Sequence, residues 1–183
     1  MSSISIAGDT SGSITLSAPA VAGTNTATLP AATGTVMVSG NMPAFSAYLS
    51  ASQNITVSTW TKIAYNTKVF DTASVYDNAT NYRITPLIAG YYQINATFAA
   101  NSTATNPTNS GIAIYKNGSI YNQCNSAGST VTSVNPAISA VVYLNGSTDY
   151  IEIYAYMNGG TGTLQAFGGS TYTYFSGSLV RGA

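Results

Sequence analysis

The side chains that could carry out chemistry are few in this sequence. Its 183 residues include five acidic residues, one cysteine and no histidine. The absence of histidine excludes Ser-His-Asp and Cys-His catalytic mechanisms and the common zinc sites. A glycoside hydrolase would need two carboxylates facing each other across a sugar. The acidic residues available for that role are Asp9, Asp71, Asp77, Asp149 and Glu152.

The spacing of these acidic residues does not favour a catalytic pair. Asp71 and Asp77 flank one loop. Asp149 and Glu152 are three residues apart, so along a strand they point to opposite faces. We interpret all of them as solvated loop carboxylates. We therefore expect a chain that is not an enzyme, with no catalytic residue, no metal and no cofactor. The one enzymatic alternative, hydrolysis of a surface polysaccharide, would depend on Asp71 or Asp149.

Two further side chains have a possible chemical role. Trp60, two residues before Lys62, could stack on a sugar, although we expect a tryptophan buried in the core. Cys124 lies in a polar stretch and cannot form a disulfide within the chain, because it is the only cysteine. We expect it to be inert.

The composition predicts an all-β protein. Charged residues make up 5% of the chain, hydrophobic residues 45%, and there are 14 tyrosines, a residue type that suits pleated surfaces. The net charge is zero with only five Lys and Arg, which argues against binding to nucleic acid. No apolar run is long enough for a membrane span, and we see no signal peptide, so we expect a protein made in the cytoplasm.

Residues 1–43 differ from the rest and predict an extended, β-rich N-terminal arm. They contain no aromatic residue and one charged residue, Asp9. Short alternating stretches are separated by proline and glycine turns. A disordered tail is the alternative, but apolar residues recur at strand spacing, which favours an arm that orders against neighbouring chains. The candidate contact residues are Ile4, Ile6, Leu16, Leu29, Val36 and Val38.

Residues 44–183 predict a domain of about ten short strands, either a sandwich or a jelly roll. The alternation is clearest over residues 150–156, and Asn117-Gly118 is a strong hairpin signal. Gly159-Gly160 and Gly168-Gly169 are interpreted as later turns. No helical periodicity of useful length is present.

The order of motifs in residues 44–183 resembles the C1q/tumour-necrosis-factor jelly roll. An opening Phe-x-Ala strand, a Tyr-Asp turn, a Gly-x-Tyr strand and a closing Phe-Ser-Gly strand follow one another in the family's order. These motifs are Phe45-Ser46-Ala47, Tyr76-Asp77, Gly90-Tyr91-Tyr92 and Phe175-Ser176-Gly177. The family's Gly-Asp pair is replaced by Thr148-Asp149, so we carry over no calcium site.

This resemblance implies a homotrimer whose inner sheets pack around a threefold axis. Tyrosine suits such a contact because its ring can be buried without burying a charge. Tyr92, Tyr143, Tyr172 and Tyr174 lie on strands that match the family's inner sheet, so they are the candidate residues of the trimer interface. The alternative for each of them is a place in the core of a single chain.

The arm is similar to strand-and-turn units in virion proteins of tailed bacteriophages, and the segment that carries this likeness is residues 23–35. Together the two resemblances imply a structural virion protein. Its first role would be capsid decoration (cement), with the arm bound to the major capsid protein or other virion proteins. The alternative is a trimeric tail-fibre or receptor-binding protein, for which a host surface glycan is a candidate partner.

Overall fold

Strands provide nearly all the regular structure of this chain. The computed structural model describes residues 3–28, 31, 33–34, 36–127 and 134–183. Within these residues there is no α-helix, and one 3-10 turn spans Ser39–Asn41. The prediction of an all-β protein is confirmed. The chain divides into two compact units, residues 1–34 and residues 35–183.

In the first unit, β1 (Ser3–Ala7) and β2 (Ser13–Ser17) form an antiparallel hairpin. Serine and threonine alternate with aliphatic residues along both strands, which is the pattern of a ribbon with one apolar face. We call this element the N-terminal hairpin.

The described residues of the second unit form three antiparallel sheets. Its strands are β3 (Ala44–Tyr48), β4 (Gln53–Asn54), β5 (Thr61–Lys62), β6 (Thr67–Asp71), β7 (Tyr76–Asp77), β8 (Arg83–Ile84), β9 (Gly90–Thr97), β10 (Ala99–Ser102), β11 (Asn109–Lys116), β12 (Ser119–Ala127), β13 (Ala137–Leu144), β14 (Ile151–Asn158), β15 (Leu164–Phe167) and β16 (Tyr174–Gly182). Several of these segments are only two residues long, so the sandwich contains more pieces than the ten strands predicted.

A five-stranded sheet and a six-stranded sheet form the body of the second unit. The five-stranded sheet has the order β13-β9-β16-β3-β6. The six-stranded sheet has the order β12-β11-β14-β8-β7, with β5 also paired to β14. A smaller sheet, β10-β15-β4, accompanies them. Consecutive strands are often in different sheets, which is the connectivity of a jelly roll.

Period-two alternation decides which side chains enter the core. On β9, Tyr92 and Ile94 are fully buried, whereas the neighbouring Tyr91 points outward. On β14, Ile151 and Ile153 are fully buried from the opposite sheet. The two inner faces therefore supply one apolar core between them.

Aromatic rings form the centre of this core. Phe45 and Phe175 meet edge to face at a centroid distance of 4.9 Å, and Tyr76 stacks on Phe45 at 5.0 Å. The Tyr76 hydroxyl donates to the Tyr65 carbonyl at 3.0 Å, and the Tyr65 hydroxyl donates to the Thr97 carbonyl at 3.1 Å. Burial raises the pKa of both hydroxyls well above the ordinary value, so the phenols stay neutral.

The predicted turn at Asn117-Gly118 joins β11 to β12. Both residues have positive φ, 53° and 79°, as a two-residue hairpin turn requires. The strand that follows this turn, β12, was not predicted from the sequence. It is exposed along most of its length and largely polar, so it lacks the alternating apolar residues that mark the other strands.

The boundary between the units differs from the predicted division at residue 43. Met37 packs against the core of the second unit, and the Leu179 amide donates to the Pro43 carbonyl at 3.0 Å. Residues 36–43 therefore belong with the sandwich. The described residues include no helix of the length and apolar character needed to cross a bilayer.

Replacing Phe175 with alanine tests the aromatic centre. The ring is fully buried among three other rings, so Phe175→Ala should lower the free energy of unfolding by about 3–5 kcal/mol. Denaturant unfolding followed by tyrosine and tryptophan fluorescence measures the change. Leu87→Ala, at a side chain that is 70% exposed, is the control and should change stability by less than about 0.5 kcal/mol. Equal losses in the two variants would contradict this assignment.

Candidate assembly surfaces

Two carboxylates of the second unit organise turns. Asp77 accepts hydrogen bonds from the backbone amides of Ala79 and Thr80 at 2.9 and 3.0 Å. Asp149 accepts a hydrogen bond from Asn117 Nδ2 at 2.7 Å and forms an ion pair with Lys116 at 3.0 Å. The turn amides hold the pKa of Asp77 well below its usual range, and the bond from Asn117 lowers the pKa of Asp149. Both carboxylates are therefore ionised and stabilise the turns in which they lie.

The other two carboxylates of this unit are also engaged. Asp71 pairs with Lys68 at 3.2 Å and accepts hydrogen bonds from the amides of Val75 and Tyr76 at 3.0 and 3.1 Å. Glu152 pairs with Lys62 at 3.0 Å. Asp149 and Glu152 are buried, with 9% and 6% exposure. The expectation of solvated loop carboxylates is therefore wrong for these two, because local hydrogen bonds and ion pairs replace water around them.

Each of these acidic groups is engaged in its own turn or ion pair. Among the residues that the structure describes, no group of three or more potential metal ligands comes together. Cys124 lies exposed on β12. The larger surface features are instead the outward faces of sheets.

The outward face of the five-stranded sheet carries rings near both ends. At one end Tyr143 on β13 lies opposite Tyr91 on β9, with ring centroids 5.5 Å apart. At the other end Tyr174 on β16 lies opposite Tyr48 on β3 and Thr97 on β9. Tyr91, Tyr143 and Tyr174 are each exposed by about two fifths, at 42%, 42% and 41%. We call this surface the tyrosine face.

Small polar side chains fill the centre of the tyrosine face. Gln93 Nε2 donates to Ser139 Oγ at 2.8 Å, and Ser139 Oγ donates to Asn95 Oδ1 at 2.9 Å. On the next strand, Ser178 and Ser176 lie opposite Gln93 and Asn95. None of these side chains is charged. The centre of the face can therefore be covered without removing a charge from water.

The structure separates the four tyrosines that the sequence proposed as one interface. Tyr143 and Tyr174 lie on the tyrosine face. Tyr172 is half exposed but precedes β16, and its ring packs edge-on against Phe167 at 5.2 Å. Tyr92 is fully buried, and its hydroxyl donates to the Ile88 carbonyl at 2.8 Å. The assignment of Tyr92 to an interface is therefore wrong, because its ring has no surface left for a neighbour.

Tyr91 takes the position that Tyr92 was expected to occupy. The signal for this was present in the sequence: Ile94 must point into the core, and Tyr92 shares its parity along the strand. Tyr91 has the opposite parity and faces outward. The pair of adjacent tyrosines concealed this difference.

The N-terminal hairpin has one aliphatic face. Ile4 pairs with Leu16 and Ile6 with Ile14, so all four side chains share one side of the ribbon. Each is 56–69% exposed. Ile14 was not among the residues predicted for contact, although it lies two residues before Leu16 in the same alternating pattern. Two strands alone are marginally stable in water, so this face gains from being covered.

The remaining predicted contact residues lie elsewhere. Val36 and Val38 are exposed, at 69% and 56%, but belong to the second unit and not to the hairpin. Leu29 lies outside the residues that the structure describes.

Comparison with solved structures identifies the class of fold. The globular domain of zebrafish complement 1qA protein matches with a TM-score of 0.59 and 16% identity, over 78% of this chain and all of that chain. Eiger TNF from S. frugiperda matches with a TM-score of 0.58 and 7% identity, over 78% of this chain and 93% of that chain. The second unit is therefore a jelly roll of the C1q/TNF type, as the sequence motifs predicted.

A third solved structure with this fold is a vertex protein. PRD1 vertex protein P5 matches with a TM-score of 0.52 and 15% identity, over 76% of this chain and 96% of that chain. No protein-family model and no curated protein sequence matches the chain. The likeness is thus one of fold.

Acid should weaken the second unit through its turn carboxylates. A carboxyl whose pKa is lowered by folding stabilises the protein above its ordinary pKa of 3.8, and this contribution is lost as the pH falls further. Asp77→Asn should cost about 1 kcal/mol at pH 7 and make stability less sensitive to pH between 5 and 2. Unfolding midpoints measured across this range give both values. Asp9→Asn in the exposed first unit is the control, and an Asp77→Asn profile parallel to it would contradict the assignment.

Proposed function

We propose that this chain is a structural virion protein of a tailed bacteriophage that assembles as a homotrimer. Within that class, we propose a capsid decoration (cement) protein at threefold or quasi-threefold positions of the shell. The observation that carries the proposal is the tyrosine face, a surface with exposed rings and an uncharged centre, on the sheet that the family resemblance assigns to a trimer interface; Arg181, opposite Tyr91, adds one charge at its edge. The vertex protein with the same fold supports a place in a virion.

The energetics of the tyrosine face favour association. Covering the exposed part of one such tyrosine removes roughly 80 Å² from water, which contributes about 2 kcal/mol before the entropy cost is subtracted. Three tyrosines and the 49%-exposed Val141 on each copy repeat this gain around a threefold axis. Because the central amides and hydroxyls already bond one another, they lose little when water leaves.

The N-terminal hairpin supports attachment to another virion component. Its aliphatic face is small and uncharged, and a single hairpin of this size would bind weakly. Three hairpins held by one trimer act together, so their combined affinity for a shell is much higher than that of one. We propose the major capsid protein as the partner of this face.

We propose no catalytic role. In the second unit, three carboxylates are held by hydrogen bonds from turn amides or Asn117, Glu152 pairs with Lys62 through one oxygen, and the chain has no histidine. A carboxyl whose pKa is held low by such hydrogen bonds, as at Asp77 and Asp149, is a poor general acid at neutral pH.

A trimeric tail-fibre or receptor-binding protein is the second candidate. The observation that favours it is a cluster of aromatic side chains on the outward face of the six-stranded sheet, formed by Trp60, Tyr115, Tyr154 and Tyr156. Electron microscopy of labelled particles distinguishes the two candidates, because a decoration protein lies on the head and a receptor-binding protein on the tail.

The tyrosine face should control the oligomeric state. The double variant Tyr91→Thr and Tyr143→Thr keeps strand-forming residues but removes both rings, so the trimer should dissociate to monomers at micromolar concentration. Multi-angle light scattering after gel filtration measures the mass. Val57→Thr, at an exposed side chain outside this sheet, is the control and should remain trimeric. A wild-type chain that is monomeric at every concentration would end the proposal.

The aliphatic face of the hairpin should control binding to particles. Ile4→Asn with Ile6→Asn should reduce co-sedimentation of the trimer with particles at least tenfold, because the apolar contact is lost. Ser5→Asn with Thr15→Asn places the same side chain on the other face and should leave binding unchanged. Both variants should remain trimeric. Equal binding of the two variants would show that this face does not attach the protein.

A further inference from the structure

Four aromatic side chains cluster on the outward face of the six-stranded sheet. Tyr115 stacks on Tyr154 with centroids 3.9 Å apart. Trp60 lies 5.5 Å from Tyr156 and 6.5 Å from Tyr115. All four are partly exposed, and none belongs to the core between the sheets. The expectation that Trp60 is a core residue is therefore wrong. We call this cluster the aromatic platform.

Small residues on β11 form the floor of the platform. Gly111 lies opposite Tyr156, and Ala113 lies opposite Tyr154. A Cβ atom at Gly111 would come within 3.1 Å of the Trp60 ring and would clash with the Asn125 side chain. The absence of a side chain at Gly111 thus lets the indole lie against the strand.

Hydrogen-bonding groups border the rings. Glu152 Oε1 is held by Lys62 at 3.0 Å, whereas Oε2 has only a long contact from the Tyr154 hydroxyl, at 3.4 Å. On the neighbouring strand β12, Gln123 and Asn125 lie opposite the floor residues and are exposed. A carboxylate oxygen and two amides are therefore available beside the platform.

We propose that the aromatic platform binds a neutral glycan. The apolar faces of sugar rings pack on aromatic side chains, and sugar hydroxyls both donate to a carboxylate and bond to amides in either direction. These are the groups that the platform and its border supply. The site lies within one chain, so the proposal does not depend on trimer formation or on a place in a virion.

The charges around the platform select against other ligands. Lys62, a cation beside the rings, is neutralised by Glu152 and also donates to the Asn81 carbonyl at 3.1 Å. Single-stranded nucleic acid also stacks on aromatic rings, but it requires a positively charged groove along its backbone. The paired charges favour an uncharged ligand over a phosphate or an acidic polysaccharide.

The single tryptophan of the chain provides the measurement. Trp60 fluorescence would be recorded while the full chain is titrated with maltohexaose, cellohexaose, chitohexaose and an α-mannohexaose. At least one of these should produce a saturable change that persists in high salt, since no net charge is involved. Tyr156→Ala keeps the fluorophore and should weaken binding at least tenfold. Tyr172→Ala removes an exposed ring elsewhere and should bind as the wild type does.

A second variant separates binding from folding. Gln123→Ala changes an exposed side chain and should leave the unfolding midpoint unchanged while weakening binding several-fold. The proposal is overturned if none of the four oligosaccharides alters the fluorescence, if Tyr156→Ala binds equally well, or if only an anionic oligosaccharide or an oligonucleotide binds. If the chain forms a trimer but binds no glycan, the glycan proposal fails and the assembly proposal is unaffected. If the chain is a monomer that binds glycan, the assembly proposal fails and the glycan proposal is unaffected.

Discussion

The packing of Phe175 against Phe45, Tyr65 and Tyr76 fixes the orientation of the whole five-stranded sheet. Because side chains alternate along a strand, placing Phe175 inward forces its neighbour Tyr174 outward. Because strand pairing fixes the register, it also determines which side chains of the adjacent strands face the core. A slip of one residue would expose the core rings and bury the tyrosine face, so core packing and surface chemistry are determined together.

Scarcity of charge shapes the rest of the molecule. With 5% charged residues, the protein uses its few carboxylates for tasks that hydroxyls and amides perform less well. Asp77 accepts hydrogen bonds from turn amides, and Glu152 forms an ion pair with Lys62. Asp149 links its own loop to the β11–β12 turn through Asn117 and Lys116. Because charge-assisted hydrogen bonds are stronger than neutral ones, the few carboxylates stabilise these turns more than amides or hydroxyls would.

The sequence predicted the fold class because strand alternation and turn chemistry are local. The Asn117-Gly118 turn and the alternation over residues 150–156 both appear in the structure as expected. The candidate sites were predicted less well, since they depend on which parity faces the core and which strands become neighbours. Tyr92 was misplaced for the first reason. The aromatic platform was missed for the second, because Trp60 and Tyr115 meet only when β5 and β11 flank β14.

The lack of net charge also determines how such a protein can bind. Long-range attraction and counterion release contribute little, so affinity must come from ring packing, hydroxyl contacts and repetition. Packing and hydrogen bonds of this kind give weak single contacts, for a hairpin face or for a sugar on aromatic rings. A threefold assembly would present three hairpins and three aromatic platforms on one body. Repetition of this kind raises the effective affinity by orders of magnitude without any new contact. A neutral chain with small binding surfaces therefore gains more from trimer formation than a charged one would.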